Sequence, residues 1–182
     1  MDTNEKAKIQ VVIAQCLDYI YAISHSSETN GNPVAPFYYE FTMANFPMNI
    51  DYFYELAYLG AQLRHLSTNM MEDENPGLFP FVGTGDNIIR EIRHDANLNR
   101  LYINTYQYFE NIDSDLYEIN CMDNDGKWIR PIADSFNTRI DHKLSEMKIK
   151  FFQQELFMRR KMLSLILRIN SILSESYNSA YP

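Results

Sequence analysis

Gly83 and Gly85 stand two apart in Phe81-Val82-Gly83-Thr84-Gly85-Asp86-Asn87, the Phe-x-Gly-x-Gly spacing with which S-adenosylmethionine-binding loops commonly open. Such a loop needs a buried strand before it and a helix after it, so that the glycines let the backbone approach the ligand. Pro76, Gly77 and Pro80 precede the stretch, a poor context for a central strand. On its other side, Ile89-Arg90-Glu91-Ile92-Arg93 alternates like a strand instead of opening a helix. The Asp/Asn-Pro-Pro-aromatic motif that cradles a target amine occurs nowhere. The two glycines are therefore expected to serve the turn entering a hairpin, and no cofactor is expected.

Other chemistry fares no better. The sequence has no Gly-x-x-x-x-Gly-Lys-Ser/Thr phosphate loop and no Gly-x-Ser-x-Gly elbow. Asp123, Asp125 and Gly126 are spaced like part of a calcium loop, but Asp134 or Ser135 takes the place of the closing glutamate, so an Asx turn is expected. Asp95 with Glu110, or His94 beside Asp95, can be drawn as acid–base pairs, yet surface hairpins carry such residues routinely. Cys16 and Cys121 form no Cys-x-x-Cys, and His25, His65, His94 and His142 are scattered, so no metal site is expected. The reading is of a protein that is not an enzyme.

The elements that must position any site are easier to read. A chain of 182 residues suits one domain with a real core. Ile9, Val12, Ile13, Cys16, Ile20 and Ile23 recur at three- and four-residue steps, predicting a helix over 5–24. Asp51 is placed to cap a second helix reaching about Thr68 and burying Phe53, Leu56, Ala57, Leu63 and Leu66. "NIIREIRHD" and "RLYINTY" flank "DANLNR" as a hairpin, and Asp113 is placed to cap a short helix through Glu118. From Ser135 to Ser176 no Gly or Pro occurs, and Ile140, Leu144, Met147, Phe151, Met158, Met162, Leu165, Ile169 and Ile172 keep a heptad-like stripe. The fold class expected is mainly α with a small antiparallel β element (α+β). It is read as a single domain over 1–182: a helical part (1–70), a hairpin with a short helix (85–119) and a long C-terminal helix (135–176).

Net charge is −8, which argues against indiscriminate nucleic-acid binding. Its distribution is uneven: residues 127–182 carry ten basic against five acidic side chains, while the rest is acidic. The N-terminus has no basic region followed by an apolar run, and no stretch approaches the ~20 unbroken apolar residues of a membrane span. A cytoplasmic protein with no membrane partner is expected.

Four blocks, "DYIYAISHS" (18–26), "YYEFTMANFP" (38–47), "YFYELAYLGAQLRHL" (52–66) and "GDNIIREIRHDANLNRLYINTYQYFENI" (85–112), stand in one order. In that order and spacing the chain resembles the C-terminal target-recognition region of type ISP restriction–modification enzymes. That family places "GDN" before a strand pair ending in "YIN..QYF", matched here by Gly85-Asp86-Asn87 and by Tyr102 to Phe109. Two departures accompany the likeness. Asn45-Phe46-Pro47-Met48-Asn49-Ile50 stands where the family has "DFPRIP", and Lys127-Trp128 alone survives of a basic, glycine-containing block. Both remove groups suited to nucleic acid.

The resemblance implies a free-standing module that binds double-stranded DNA within a restriction–modification or related phage-defence system. It would act with a separate methyltransferase or restriction enzyme subunit. Tyr106, Gln107, Tyr108, Lys127, Trp128 and Arg130 would meet bases, and Lys143, Lys150, Arg159, Arg160 and Lys161 phosphates. Packing of Tyr106 and Tyr108 onto the helices is the competing assignment for those two. The alternative function is an acidic protein-interaction module, docking on such an enzyme to regulate or inhibit it, or forming a homodimer through the C-terminal helix. Residues 72–74 and 123–125 would then face the partner.

Overall fold

The apolar repeat near the N-terminus forms α1 (Thr3–Ser24), and the second repeat forms α2 (Ile50–Thr68). The computed structural model describes residues 3–26, 49–68, 76–119, 121–122, 128–129, 132–137 and 139–180. These fall into two compact units, one of residues 1–68, 124–126 and 164–182, the other of 69–123 and 127–163. None of the described helices is long and apolar enough to cross a membrane.

In the first unit α1 and α2 approach closely at Gly60, where an added Cβ would lie 1.8 Å from the Asp18 carbonyl oxygen. Tyr19, Ile20, Ala22, Leu56, Ala57, Leu59 and Leu63 are buried there. Arg64 Nη2 reaches the Asp18 carboxylate at 2.8 Å. Asn49, not Asp51, caps α2, its Oδ1 accepting from Asp51 N at 2.9 Å; Asp51 lies in the first turn. Phe53 and Leu66 are only half-buried. The expected stripe of α1 is buried only toward its C-terminal end, for Ile9, Val12 and Ile13 are exposed.

The second unit is built on a four-stranded antiparallel sheet of β1 (Phe81–Val82), β2 (Arg93–Asp95), β3 (Arg100–Tyr102) and β4 (Tyr108–Glu110), in the order β1-β4-β3-β2. The expected hairpin is β2–β3, its turn braced by Asp95 Oδ1, which accepts from Asn97 N and Leu98 N. β1 is not expected from the sequence, and β4 is expected only through the resemblance, whose strand pair ends at Phe109. Asp113 caps α3 (Ser114–Glu118) as the sequence suggests, accepting from Leu116 N at 2.9 Å. β5 (Cys121–Met122) then pairs with β6 (Trp128–Ile129), on either side of the acidic turn, which lies outside the described residues.

Register puts Phe81, Phe109 and Leu101 on the inner face of the sheet. Phe109 meets Phe136 of α4 (Ile132–Asn137) and Phe152 of α5 (Glu146–Ala180), which stack on each other at 4.3 Å. The long C-terminal helix is therefore interrupted, contrary to the unbroken 135–176 stripe. Asp141 takes a left-handed φ of 67°. Asp141 N donates to Ile89 O, Ile89 N to His142 O and Leu144 N to Asn87 O, so backbone pairing with 87–89 replaces helix between α4 and α5. Ser145 then starts α5, its Oγ accepting from Lys148 N. The buried stripe of α5 runs through Phe152, Leu156, Met162 and Ile169; Ile140, Met147 and Phe151 are exposed instead.

Candidate nucleic-acid interface

Gly83 and Gly85 belong to a locked pair of loops. Gly83 has a φ of 102°, and a Cβ there would lie 2.0 Å from the Tyr106 carbonyl oxygen. A Cβ on Gly85 would meet the Gln107 amide at 2.6 Å. Both positions thus need glycine so that 83–87 can lie against 104–107. Three amides then close the joint. Gln107 Oε1 accepts from Asn87 N (2.9 Å) and from Asn104 Nδ2 (3.1 Å), while Gln107 Nε2 donates to Asn87 Oδ1. Asn104 Nδ2 also donates to Ile88 O, and its Oδ1 accepts from Tyr106 N and Gln107 N. A buried polar network with its members paired rigidifies what it joins.

What the joint presents to solvent is Tyr106, 73% exposed, beside an ion pair of Arg90 with Asp86. Gly85, Asp86, Arg90, Asn104, Thr105 and Tyr106 line an open pocket of about 320 Å³. The Arg90 guanidinium and the Ile88 N–H hold the Asp86 carboxyl well below the usual carboxylate range. The outer face of the sheet carries a row of Tyr108, Tyr102 and Arg93, in register across β4, β3 and β2. Arg93 lies 4.1 Å over the Tyr102 ring and Arg100 4.4 Å over the Tyr108 ring. Glu110 pairs with Arg100 at 3.3 Å. This face is half-exposed, in contrast to the buried Phe109 and Leu101 on the other.

The residues expected to touch DNA are divided by this geometry. Tyr106 is exposed, Tyr108 lies on the outer face, and Lys143 and Lys150 are exposed. Backbone pairing of Lys143 with Ile88 sets it beside the locked loops. Gln107 is 1% exposed and spends its amide on the joint, so it cannot reach an adenine edge. Arg159 is also 1% exposed, bound to Glu155 at 2.8 Å; it occupies a core position of α5 rather than the basic face. Arg160 is tied to Asp113 (2.7 Å) and to Asn111 O. Burial raises the Asp113 carboxyl, but hydrogen bonds from Leu116 N and Arg160 outweigh it, and the net displacement is downward. Lys161 Nζ lies 4.7 Å over the Phe157 ring. Lys127 and Arg130 lie outside the described residues, and Trp128 is placed by its backbone in β6.

The family description Type ISP C-terminal specificity domain matches residues 3–123, two thirds of the chain. The chain belongs to that family. No curated protein and no solved structure matches it. The matched region runs from α1 through β5 and so includes the whole four-stranded sheet. In this specificity domain the blocks "GDN" and "YIN..QYF" supply Asn87, Asn104 and Gln107, the members of the amide joint. Those blocks thus contain the residues that hold the loops together, with Asp86 and Tyr106 beside them exposed to solvent.

Arg90, Arg93, Arg100 and Tyr102 were not singled out from the sequence. Alternation in Arg100-Leu101-Tyr102, with Leu101 buried, was the available signal. The candidate acid–base residues of the hairpin are engaged otherwise. His94 stacks on Tyr117 at 4.4 Å with Nε2 2.7 Å from Ile112 O, Asp95 braces its turn, and Glu110 holds Arg100. Among the described residues, no group of three or more His, Cys, Asp or Glu is placed to hold a metal ion.

Proposed function

We propose that this specificity domain is a DNA target-recognition module of a restriction–modification or related phage-defence system. Its residues 1–182 would work as one recognition unit, cytoplasmic and without a catalytic centre. Methylation or cleavage would be supplied by a methyltransferase or restriction enzyme part outside these residues. The observation that supports this best is the outer sheet face inside the family region, where Arg93 and Arg100 lie on Tyr102 and Tyr108. Arginine and tyrosine on a rigid support suit phosphates and base edges, and the sheet holds them without ordering new backbone. Exposed Lys143, Lys148 and Lys150 add cations for the backbone of the duplex. Lys127, Trp128, Arg130, Arg160 and Lys161 extend the proposed contact, and Gln107 and Arg159 drop out of it.

Binding of the purified chain to mixed-sequence duplex DNA, titrated in salt, tests the reading. Each phosphate contact contributes about 0.9 to the log–log slope. A steep slope, reduced in Lys143→Ala/Lys150→Ala, is the expected result. Absence of binding at low salt would sink it.

A second reading, a protein-docking module acting on a restriction–modification enzyme, has its own support. Ile9, Val12, Ile13 and Leu17 are exposed along α1. Concentration-dependent mass in light scattering, abolished by Val12→Asp, would favour self-association; co-purification with a restriction or methyltransferase subunit, lost in the same variant, would favour docking.

A further inference from the structure

The pocket beside Tyr106 holds a braced arginine with donors to spare. An arginine has five N–H donors in a planar fork. Arg90 commits Nη1 to Asp86 Oδ1 at 2.9 Å and Nη2 to Asp86 Oδ2. Asp86 is itself fixed, for its Oδ1 also accepts from Ile88 N at 3.1 Å. Using both terminal nitrogens end-on leaves the Nε–H and the neighbouring Nη–H as a parallel pair on the other edge of the plane. That pair matches the O6 and N7 acceptors that guanine shows in the major groove. A guanidinium already held in one orientation loses less freedom on binding than an unbraced one.

Two further features separate this site from a plain surface ion pair. First, the electrostatics disfavour a phosphate: Asp86 and Asp141 both add negative potential at Arg90. A neutral base edge with two acceptors is not repelled in that way. Second, Tyr106 is held by its backbone and not by its ring. Its N–H donates to Asn104 Oδ1, its carbonyl lies against Gly83, and its side chain stands in solvent at the pocket wall. An aromatic residue fixed in that way is suited to flat contact with a neighbouring base.

We propose that Arg90, braced by Asp86 in the pocket beside Tyr106, reads a guanine of the DNA target. Arg90 is the contacting residue, Asp86 a positioning residue and Tyr106 the wall. The proposal rests on the DNA-recognition reading and deepens it.

The test is selection of bound duplexes from a random library by the full chain and by Arg90→Lys, Arg90→Gln and Asp86→Asn. Thermal melting of each variant checks that it folds, as both side chains are about half exposed, 53% and 44%. The expected wild-type motif contains an invariant G·C pair. Arg90→Lys keeps the charge but loses the fork, so discrimination at that pair should fall roughly tenfold or more, with affinity for unselected DNA nearly unchanged. Asp86→Asn should weaken the same discrimination while leaving Arg90 in place. If the variants select the wild-type motif unaltered, or if Arg90→Gln weakens all sequences evenly, the guanine assignment is wrong and DNA recognition stands. A wild-type protein that binds duplex without selecting any sequence also overturns it. A wild-type protein that binds no DNA overturns both.

Discussion

The two faces of the four-stranded sheet share one backbone and differ in what they do. On the inner face, beside Leu101, Phe109 meets Phe81, Phe136 and Phe152 in a cluster with ring centroids 4.3 to 6.4 Å apart. On the outer face, one residue along each strand, Arg93 and Arg100 lie on Tyr102 and Tyr108. Apolar burial stabilises in proportion to the area removed from water, whereas half-exposed cation–π contacts are worth about 0.5–1 kcal/mol each. If the outer face reads DNA as proposed, stability and recognition are separable here to within one residue of register. The inner face can hold the sheet rigid while the outer face is left open to a ligand.

The sharpest way to break that comparison is from behind. Phe109 is fully buried and central to the cluster. Phe109→Ala should cost about 3–5 kcal/mol of stability, read from the urea midpoint at unchanged slope. Loss of binding would then follow from unfolding alone. A cost under about 1 kcal/mol would show that the cluster is not the support assigned to it.

The joint between the loops comes next in size. Gln107→Ala removes the acceptor for Asn87 N and Asn104 Nδ2, and leaving buried donors unpaired costs about 1–3 kcal/mol. The sharper readout is local. Amide exchange should quicken across 83–87 and 104–107 before the rest of the sheet opens. Uniform acceleration over the whole second unit would mean that the joint is not a separate device.

Much of the inner structure was legible in the sequence, and the reasons are specific. The repeats from Ile9 to Ile23 and from Asp51 onward mark α1 and α2, and Asp113 announces α3 by its capping position. β1 and β4 are two and three residues long, too short to show a period. The interruption between α4 and α5 depends on hydrogen bonds from 141–144 to 87–89, a partner more than 50 residues away. Arg159 reads as a surface cation and is buried because Glu155, one turn back, accompanies it. The family blocks located the joint, but only the folded chain shows that Gln107 faces inward and Tyr106 outward.

From the front the effect on stability should be smaller. Arg93→Ala with Arg100→Ala removes both cation–π contacts and the pair with Glu110. Together these should lower stability by about 1–2 kcal/mol at most, since the groups are half-exposed. DNA affinity should fall far more than stability does, with the salt slope reduced by about 0.9 for each arginine that meets a phosphate. Equal loss in both measurements would merge the two faces into one structural role.

The smallest expected effect concerns Asp113, which fastens α3 to α5 through Arg160 at 2.7 Å. Its carboxyl titrates below the ordinary value in the folded chain because Leu116 N and Arg160 favour the charged form more than burial opposes it. A group depressed on folding contributes stability in full above its unfolded pKa, about 3.9 for Asp. That contribution is lost as pH falls through the folded value. Asp113→Asn keeps a capping oxygen for Leu116 N and removes only the charge. The variant should therefore be slightly less stable than the parent at neutral pH, and the difference should close below about pH 4. The side chain is 39% exposed, so solvent screening keeps the difference small. Binding to DNA should not weaken with it, because the charge removed is negative and its loss leaves Arg160, proposed to extend the contact, at least as available. A difference that widened on acidification would reverse the sign and refute the role given to Arg160.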